Sequence, residues 1–396
     1  MKKTTQNIFM FFIISLTVMT ATAAPRAEEK EWTFLLFLNG HNNLSSYGDM
    51  NLKDMEKSGS TDQVNIVVEW GKADDPLTKR LLVQKSTNPS QVTSPILESQ
   101  ANVDMGDYHR LVDFVKWGVD HYPAKHYFVA VWNHGSGWHF QEMNKANVGI
   151  NDISFDDNTG NHITTEQLGL AMAEIKQYIG RNIDIYGSDA CLMQMVEVAA
   201  EMKDSVNYFV GSEETEPGEG WPYAPFMQRW VSNPQQTPAE LSIALSQEYL
   251  KAYSGGVYGQ KSVTFSALDM SKLDAVISSS NRLAAHLASM DAASLKKIKS
   301  SLNKVQAYYY SDYKDYADFI KVINSLPIER DTALLSEVTS NIKSMVLSVD
   351  SSASYSKSTG LSIWLPNYSA PQMARYKGLA FDKASNWSSF LQKVLK

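Results

Sequence analysis

Short apolar runs recur through the first half of the chain, and each ends in polar residues or glycine. The runs occupy residues 32–38, 64–70, 127–132, 183–186 and 208–211. Strands buried on both faces have such nearly continuous apolar sequences, which is typical of a mostly parallel sheet. Apolar residues at helical spacing lie between the runs, at 108–119 and 165–179. This alternation predicts an α/β fold, a three-layer α/β/α sandwich around a mostly parallel central sheet.

The chain has a single cysteine, Cys191. Because it cannot form a disulfide within the chain, its thiol is either a small buried side chain or a reactive group. Cys191 follows the run at 183–186 and precedes an apolar stretch at 192–200, which predicts a buried helix. A thiol at the start of a helix is stabilised as the thiolate. The local sequence leaves both interpretations open.

His134 has an equivalent position, after the run at 127–132 and beside Gly135. Histidine exchanges protons near neutral pH, and N–H groups of a turn can stabilise an oxyanion. We interpret His134 as the proton-transfer partner of Cys191, with the backbone N–H groups of Gly135 and Cys191 as oxyanion donors. A structural histidine is the alternative, and His41 is a weaker candidate for the same role. A histidine about 50 residues upstream of a cysteine is the order found in caspase-like proteases.

Several segments resemble the clostripain-like cysteine peptidases. They are 38–44 (LNGHNNL), 104–107 (DMGD), 122–124 (YPA), 132–138 (WNHGSGW), 188–193 (SDACLM), 212–221 (SEETEPGEGW) and 360–363 (GLSI). The resemblance implies a caspase-like fold, with Cys191 as the nucleophile and His134 as the general acid and base. No third catalytic residue is predicted, and a dyad is expected to suffice.

The resemblance also implies cleavage after Arg or Lys, because family members place an acid two residues before the nucleophile. Asp189 has that position, and a carboxylate pairs well with a guanidinium or ammonium group. A solvated aspartate in a turn is the alternative. In the acidic loop that follows, Glu216 and Glu219 are candidates for the pocket rim, for binding a cation, or for a merely solvated loop.

Several relatives cut their own chain between the histidine and cysteine segments. The same basic specificity predicts self-cleavage here between Lys145 and Ala146. We expect residues 24–269 to form the caspase-like catalytic domain. The last part, 270–396, is rich in Ser, Ala and Lys and predicts a helical C-terminal subdomain that returns a strand to the sheet. Helix is predicted at 283–290 and 308–316, and a strand at 361–366.

The N-terminus predicts export. Two lysines precede an apolar run at 8–18, shorter than the roughly 20 residues that span a bilayer, and small residues at 20–24 offer a cleavage site. We expect a signal peptide at 1–23, cleavage after Ala23, no membrane span thereafter, and a periplasmic or extracellular protein. A net charge of −7 argues against a nucleic acid partner. We expect a monomer acting on protein or peptide substrates.

The chemistry of a cysteine peptidase requires no cofactor. An oxygen-rich loop contains Asp152, Asp156, Asp157 and Asn158, but the spacing does not fit an EF-hand, so calcium is not assigned. Motifs for zinc peptidases, serine hydrolases and phosphate-binding loops are absent from the sequence. Two alternatives to hydrolysis stay open: a non-catalytic exported protein that binds basic peptides, and a peptide acyl transferase or ligase on the same dyad.

Overall fold

The computed structural model describes residue 1 and residues 28–88, 90–138, 152–368 and 372–396. The predicted cleavage site Lys145-Ala146 and the predicted signal peptide therefore lie outside the described residues. Within the described ranges, no helix combines the length and the apolar character needed to cross a membrane.

The strands alternate with helices along the first half of the chain. The strands are β1 (Lys30–Gly40), β2 (Val64–Lys72), β3 (Asp75–Leu82), β4 (Ile96–Ala101), β5 (Ala124–Trp132), β6 (Ile153–Asp156), β7 (Asn161–Ile163), β8 (Ile183–Asp189), β9 (Val206–Gly211), β10 (Ser254–Gly256), β11 (Gly259–Gln260), β12 (Thr264–Asp269), β13 (Tyr313–Asp315), β14 (Val346–Ser351) and β15 (Ser362–Trp364). In the main sheet they have the order β14-β12-β9-β8-β5-β1-β2-β3-β4. The five central strands, β9 to β2 in that order, are parallel, and both edges are antiparallel.

Helices cover both faces of this sheet. They are α1 (Ser45–Glu56), α2 (Tyr108–His121), α3 (Thr165–Ile179), α4 (Val196–Met202), α5 (Tyr223–Ser232), α6 (Pro238–Tyr253), α7 (Leu273–Ala288), α8 (Ala292–Ser301), α9 (Tyr316–Ser325), α10 (Thr332–Met345), α11 (Met373–Tyr376), α12 (Ala380–Ser385) and α13 (Trp387–Leu395). Leu35 and Phe37 of β1 pack into one apolar core with α2 and α3, whereas Phe34 and Leu36 pack into another with α1, α5 and α6. Because successive strand residues point to opposite faces, a strand between two cores must be apolar throughout. The predicted three-layer sandwich is confirmed.

The last part of the chain differs from the prediction in detail. The segment predicted as helix at 308–316 contains β13 instead, and α9 begins only at its end. The strand predicted at 361–366 forms as β15, which pairs with β13 in a small separate sheet, whereas β14 joins the main sheet at its edge. Whether 24–269 and 270–396 are separate domains stays a prediction.

Candidate active site

Two of the candidate residues follow neighbouring parallel strands. Trp132 of β5 is paired in register with Asp189 of β8, and the Asn133 N–H donates to the Asp189 carbonyl at 3.2 Å. His134 and Cys191 each come two residues after this pair. The register therefore brings both side chains to the carboxyl edge of the sheet, where ligands of open α/β sheets bind.

The two segments touch at Gly135. A Cβ atom at that position would lie 2.5 Å from the Cys191 carbonyl oxygen and 3.2 Å from its nitrogen, so any side chain would force the segments apart. Within the part of the chain that the structure describes, the N–H groups of Gly135 and Cys191 donate to no other residue. Two neighbouring N–H groups without an acceptor are what an oxyanion site requires.

The surroundings of Cys191 disfavour its thiolate form. The Glu216 N–H donates to Sγ at 3.3 Å, but burial, followed by the negative charges of Glu214 and Asp189, raises the pKa of the thiol to about 11. The helix expected from residue 192 begins at Val196 instead. The helix dipole acts within about one turn, so it contributes little to the thiolate, contrary to the sequence prediction.

The His134 ring is fixed by a residue that the sequence did not single out. Its Nε2 lies 2.7 Å from Oδ1 of Asn43, in the turn after β1. Burial lowers the pKa of His134, which favours the neutral ring. No hydrogen bond joins it to Cys191 among the described contacts, and such bonds often tighten only when substrate binds. The strand before Asn43 also ends at this edge, which is the signal that could have pointed to it.

Asp189 precedes Cys191 by two residues and is 4% exposed. It accepts hydrogen bonds from the Tyr223 hydroxyl at 2.8 Å and from the Trp221 N–H at 3.3 Å. Gly220, at φ +63°, leaves room for it, because a Cβ there would lie 2.7 Å from Oδ1. Burial raises the pKa of this carboxyl.

The carboxyl of Glu216 packs against that of Asp189. Burial, followed by the charge of Asp189, raises the pKa of Glu216. Among the described residues, no Lys or Arg forms an ion pair with either acid. Within the described ranges, the site therefore contains a buried pair of acids without a cation.

The other acids of the loop have partners. Glu219 forms an ion pair with Lys261 at 2.6 Å, so its charge is already partly neutralised. Glu214 accepts from the Tyr309 N–H at 3.2 Å. Glu214 and Glu219 therefore have partners within the protein.

Two acids of the oxygen-rich loop also have partners within the protein. Both oxygens of Asp152 accept from Arg375, and Asp156 accepts from His41 at 2.8 Å and from the Met105 N–H at 2.9 Å. In the described ranges, no group of three or more His, Cys, Asp or Glu residues has a metal-binding arrangement. Calcium therefore stays unassigned, and His41 has a structural partner.

A thiol and an imidazole at the ends of adjacent strands of this sandwich are the features of a cysteine endopeptidase. A model of the clostripain family matches residues 36–393, and the chain belongs to that family. A comparison with curated proteins found no significant match.

Solved structures of C11 cysteine proteases have the same fold. One is a secreted protease of Bacteroides thetaiotaomicron in complex with an irreversible peptide inhibitor, with a TM-score of 0.71 and 19% identity, over 90% of this chain and 99% of that one. Another is an inactive zymogen from Parabacteroides distasonis, with a TM-score of 0.67 and 18% identity over the same shares of the two chains.

Proposed function

We propose that this cysteine peptidase hydrolyses peptide bonds after Arg or Lys, with Cys191 as the nucleophile and His134 as the general acid and base. The observation that carries the proposal is the buried acid pair of Asp189 and Glu216 near Cys191. Removing a carboxylate from water is costly unless it is paired. A guanidinium or ammonium group of the substrate would supply the missing positive charge.

The same geometry supports an order of steps. His134, neutral in the free protein, accepts the thiol proton of Cys191, and the thiolate attacks the carbonyl carbon of the basic residue. The N–H groups of Gly135 and Cys191 stabilise the resulting oxyanion. His134 then protonates the leaving amine and activates the water that hydrolyses the thioester.

The remaining sequence predictions belong to the same proposal. The enzyme is exported after cleavage of residues 1–23, cuts itself between Lys145 and Ala146, needs no cofactor, and acts as a monomer. Glu219 stays at the pocket rim, where Lys261 holds it.

A fluorogenic peptide panel that varies only the residue before the scissile bond tests the specificity. We expect turnover of Arg and Lys substrates in the wild type, none in Cys191→Ala, and a loss of at least about a hundredfold in kcat/KM in Asp189→Asn. Cleavage after uncharged residues, or activity of Cys191→Ala, would disprove the proposal. Binding of basic peptides without turnover would favour the non-catalytic alternative, and aminolysis products formed with an added amine would favour the transferase.

Incubation of the purified protein tests self-processing. The wild type should yield two fragments that meet at Lys145-Ala146, whereas Cys191→Ala should stay intact. Two fragments of the same size from Lys145→Ala would exclude this site.

A further inference from the structure

We propose that Asn43 is a positioning residue that acts through His134, so that the catalytic unit has three members from three adjacent strands. This inference rests on the proposed function. Asn43 follows β1, His134 follows β5 and Cys191 follows β8, and these strands are neighbours in the parallel core of the sheet. The contact that carries the inference is the 2.7 Å bond between Asn43 Oδ1 and His134 Nε2.

The bond determines which ring nitrogen carries the proton. An amide oxygen only accepts hydrogen bonds, so with Oδ1 of Asn43 facing the ring, Nε2 is the protonated nitrogen of the neutral ring. Nδ1 is then the basic atom that takes the thiol proton of Cys191. Once His134 is an imidazolium, its Nε2–H bond to Asn43 becomes charge-assisted and therefore stronger. Asn43 thus favours both the reactive tautomer and the charged state that forms during attack.

The turn that carries Asn43 is held by its neighbours rather than by Asn43 itself. The Asn42 side chain accepts from the Leu44 N–H at 2.9 Å and donates to the Phe155 carbonyl at 2.9 Å. In the described part of the chain, the Asn43 side chain is exposed and makes one hydrogen bond, to His134. The fold therefore does not depend on the amide, and its removal should leave a folded protein.

Four variants test the inference: Asn43→Ala, Asn43→Gln, Asn43→Asp and, as a nearby control at the start of α1, Ser46→Ala, whose side chain is also exposed. We expect Asn43→Ala to lower kcat by about tenfold with little change in KM, as for the loss of one hydrogen bond. Asn43→Gln should lose activity too, because the longer amide misplaces its oxygen. Ser46→Ala should match the wild type.

The pH profile separates positioning from a structural role. A carboxylate at position 43 would raise the pKa of His134, because it stabilises the imidazolium. Since His134 must be neutral to accept the thiol proton, the acidic limb of kcat/KM in Asn43→Asp should move to higher pH. Wild-type kcat in Asn43→Ala, or an acidic limb of Asn43→Asp that coincides with the wild type, would overturn the inference.

Alkylation of Cys191 by iodoacetamide needs no peptide substrate. It therefore distinguishes failure of the role proposed for Asn43 from failure of the proposed function. The rate of Cys191 modification should depend on pH through His134, and the profile should shift in Asn43→Asp whether or not peptides are cut. A shifted profile without peptidase activity would refute the proposed function only. Unshifted alkylation together with normal cleavage of Arg and Lys substrates would refute the role of Asn43 only.

Discussion

The hydroxyl of Tyr313 donates a 2.7 Å hydrogen bond to the backbone carbonyl of Ser136. Tyr313 belongs to β13 in the last part of the chain, whereas Ser136 lies in the loop that carries His134. The tyrosine is fully buried, and its hydroxyl would lie 2.8 Å from a Cβ atom at position 137, where Gly137 has φ +68°. The C-terminal part of the chain therefore supports the histidine loop directly.

Replacing Tyr313 with Phe tests this support. The change leaves the ring but removes the donor to the Ser136 carbonyl, so we expect a loss of about 1 kcal/mol in the free energy of unfolding. A looser loop should also lower kcat/KM about two- to fivefold, since small displacements of catalytic groups slow the reaction. Urea unfolding and steady-state kinetics measure the two effects. Tyr309→Phe, at a side chain that is 58% exposed, is the matched control, and equal behaviour of the two variants would contradict the prediction.

Arg375 of α11 connects the C-terminal part of the chain to two acids that follow residue 151. It donates to the fully buried Asp152 and to Glu166. Burial raises the pKa of Asp152 to about 6, although Arg375 lowers it. Arg375→Met should destabilise the fold by about 3 kcal/mol, because it leaves a buried acid unpaired.

The pH dependence of this loss has a definite sign. At pH 5 Asp152 is mostly protonated and needs no cation, whereas at pH 8 the variant must either bury an unpaired charge or hold a proton that the unfolded chain releases. The loss on Arg375→Met should therefore be larger at pH 8. Adding Asp152→Asn to the Arg375→Met variant should recover part of the lost stability. Urea unfolding at both pH values checks this, and a loss independent of pH would contradict it.

The central sheet could be predicted from the sequence because burial on both faces leaves a simple pattern. The helix at Thr165–Ile179 was also predictable in its bounds, since Thr164 and Gln167 form a capping box and Gly180 ends it in the left-handed region. The start of α4 could not be predicted, because residues 192 to 195 are as apolar and buried as the helix itself. They pack around a turn in which Leu192 has φ +65°.

The sequence predicted the candidate site only where its residues lie at or just after the ends of strands. Cys191, His134 and Asp189 end recognisable apolar runs. Asn43 also follows such a run, but an asparagine in a turn looks like many others until its partner is known. The pairing of Glu216 with Asp189, and of Tyr313 with Ser136, joins residues far apart in sequence, which periodicity and spacing do not reveal.

A second buried acid pair predicts a different pH effect on stability. Glu213 faces Asp315, and burial followed by the charge of Asp315 raises the pKa of Glu213. Tyr308 donates to Asp315 at 3.3 Å, and the Gly360 N–H donates to Glu213 at 3.2 Å. A folded-state pKa above the unfolded value of about 4.3 means that the pair loses stability as pH rises past that value.

Glu213→Gln removes this titration while its amide can still donate to Asp315. Relative to the wild type, the variant should gain about 1 kcal/mol of stability between pH 5 and pH 8. Urea unfolding at the two pH values measures the difference. Asp318→Asn, at a neighbouring buried acid for which Gln306 N–H is a donor, serves as a comparison. A wild-type advantage that grows with pH would contradict the prediction.

The charge of Asp189 also predicts that a cation in the pocket changes the reactivity of Cys191. That charge is one cause of the raised pKa of Cys191, so a cation beside Asp189 should lower it and increase the thiolate fraction. Ethylguanidine, small enough to leave the thiol accessible, should accelerate alkylation of Cys191 by iodoacetamide at pH 7 by about tenfold, the effect of one pKa unit. Asp189→Asn should react faster than the wild type without the cation and should not respond to it. An unchanged or lower rate in the wild type would show that the pocket charge does not control the thiol.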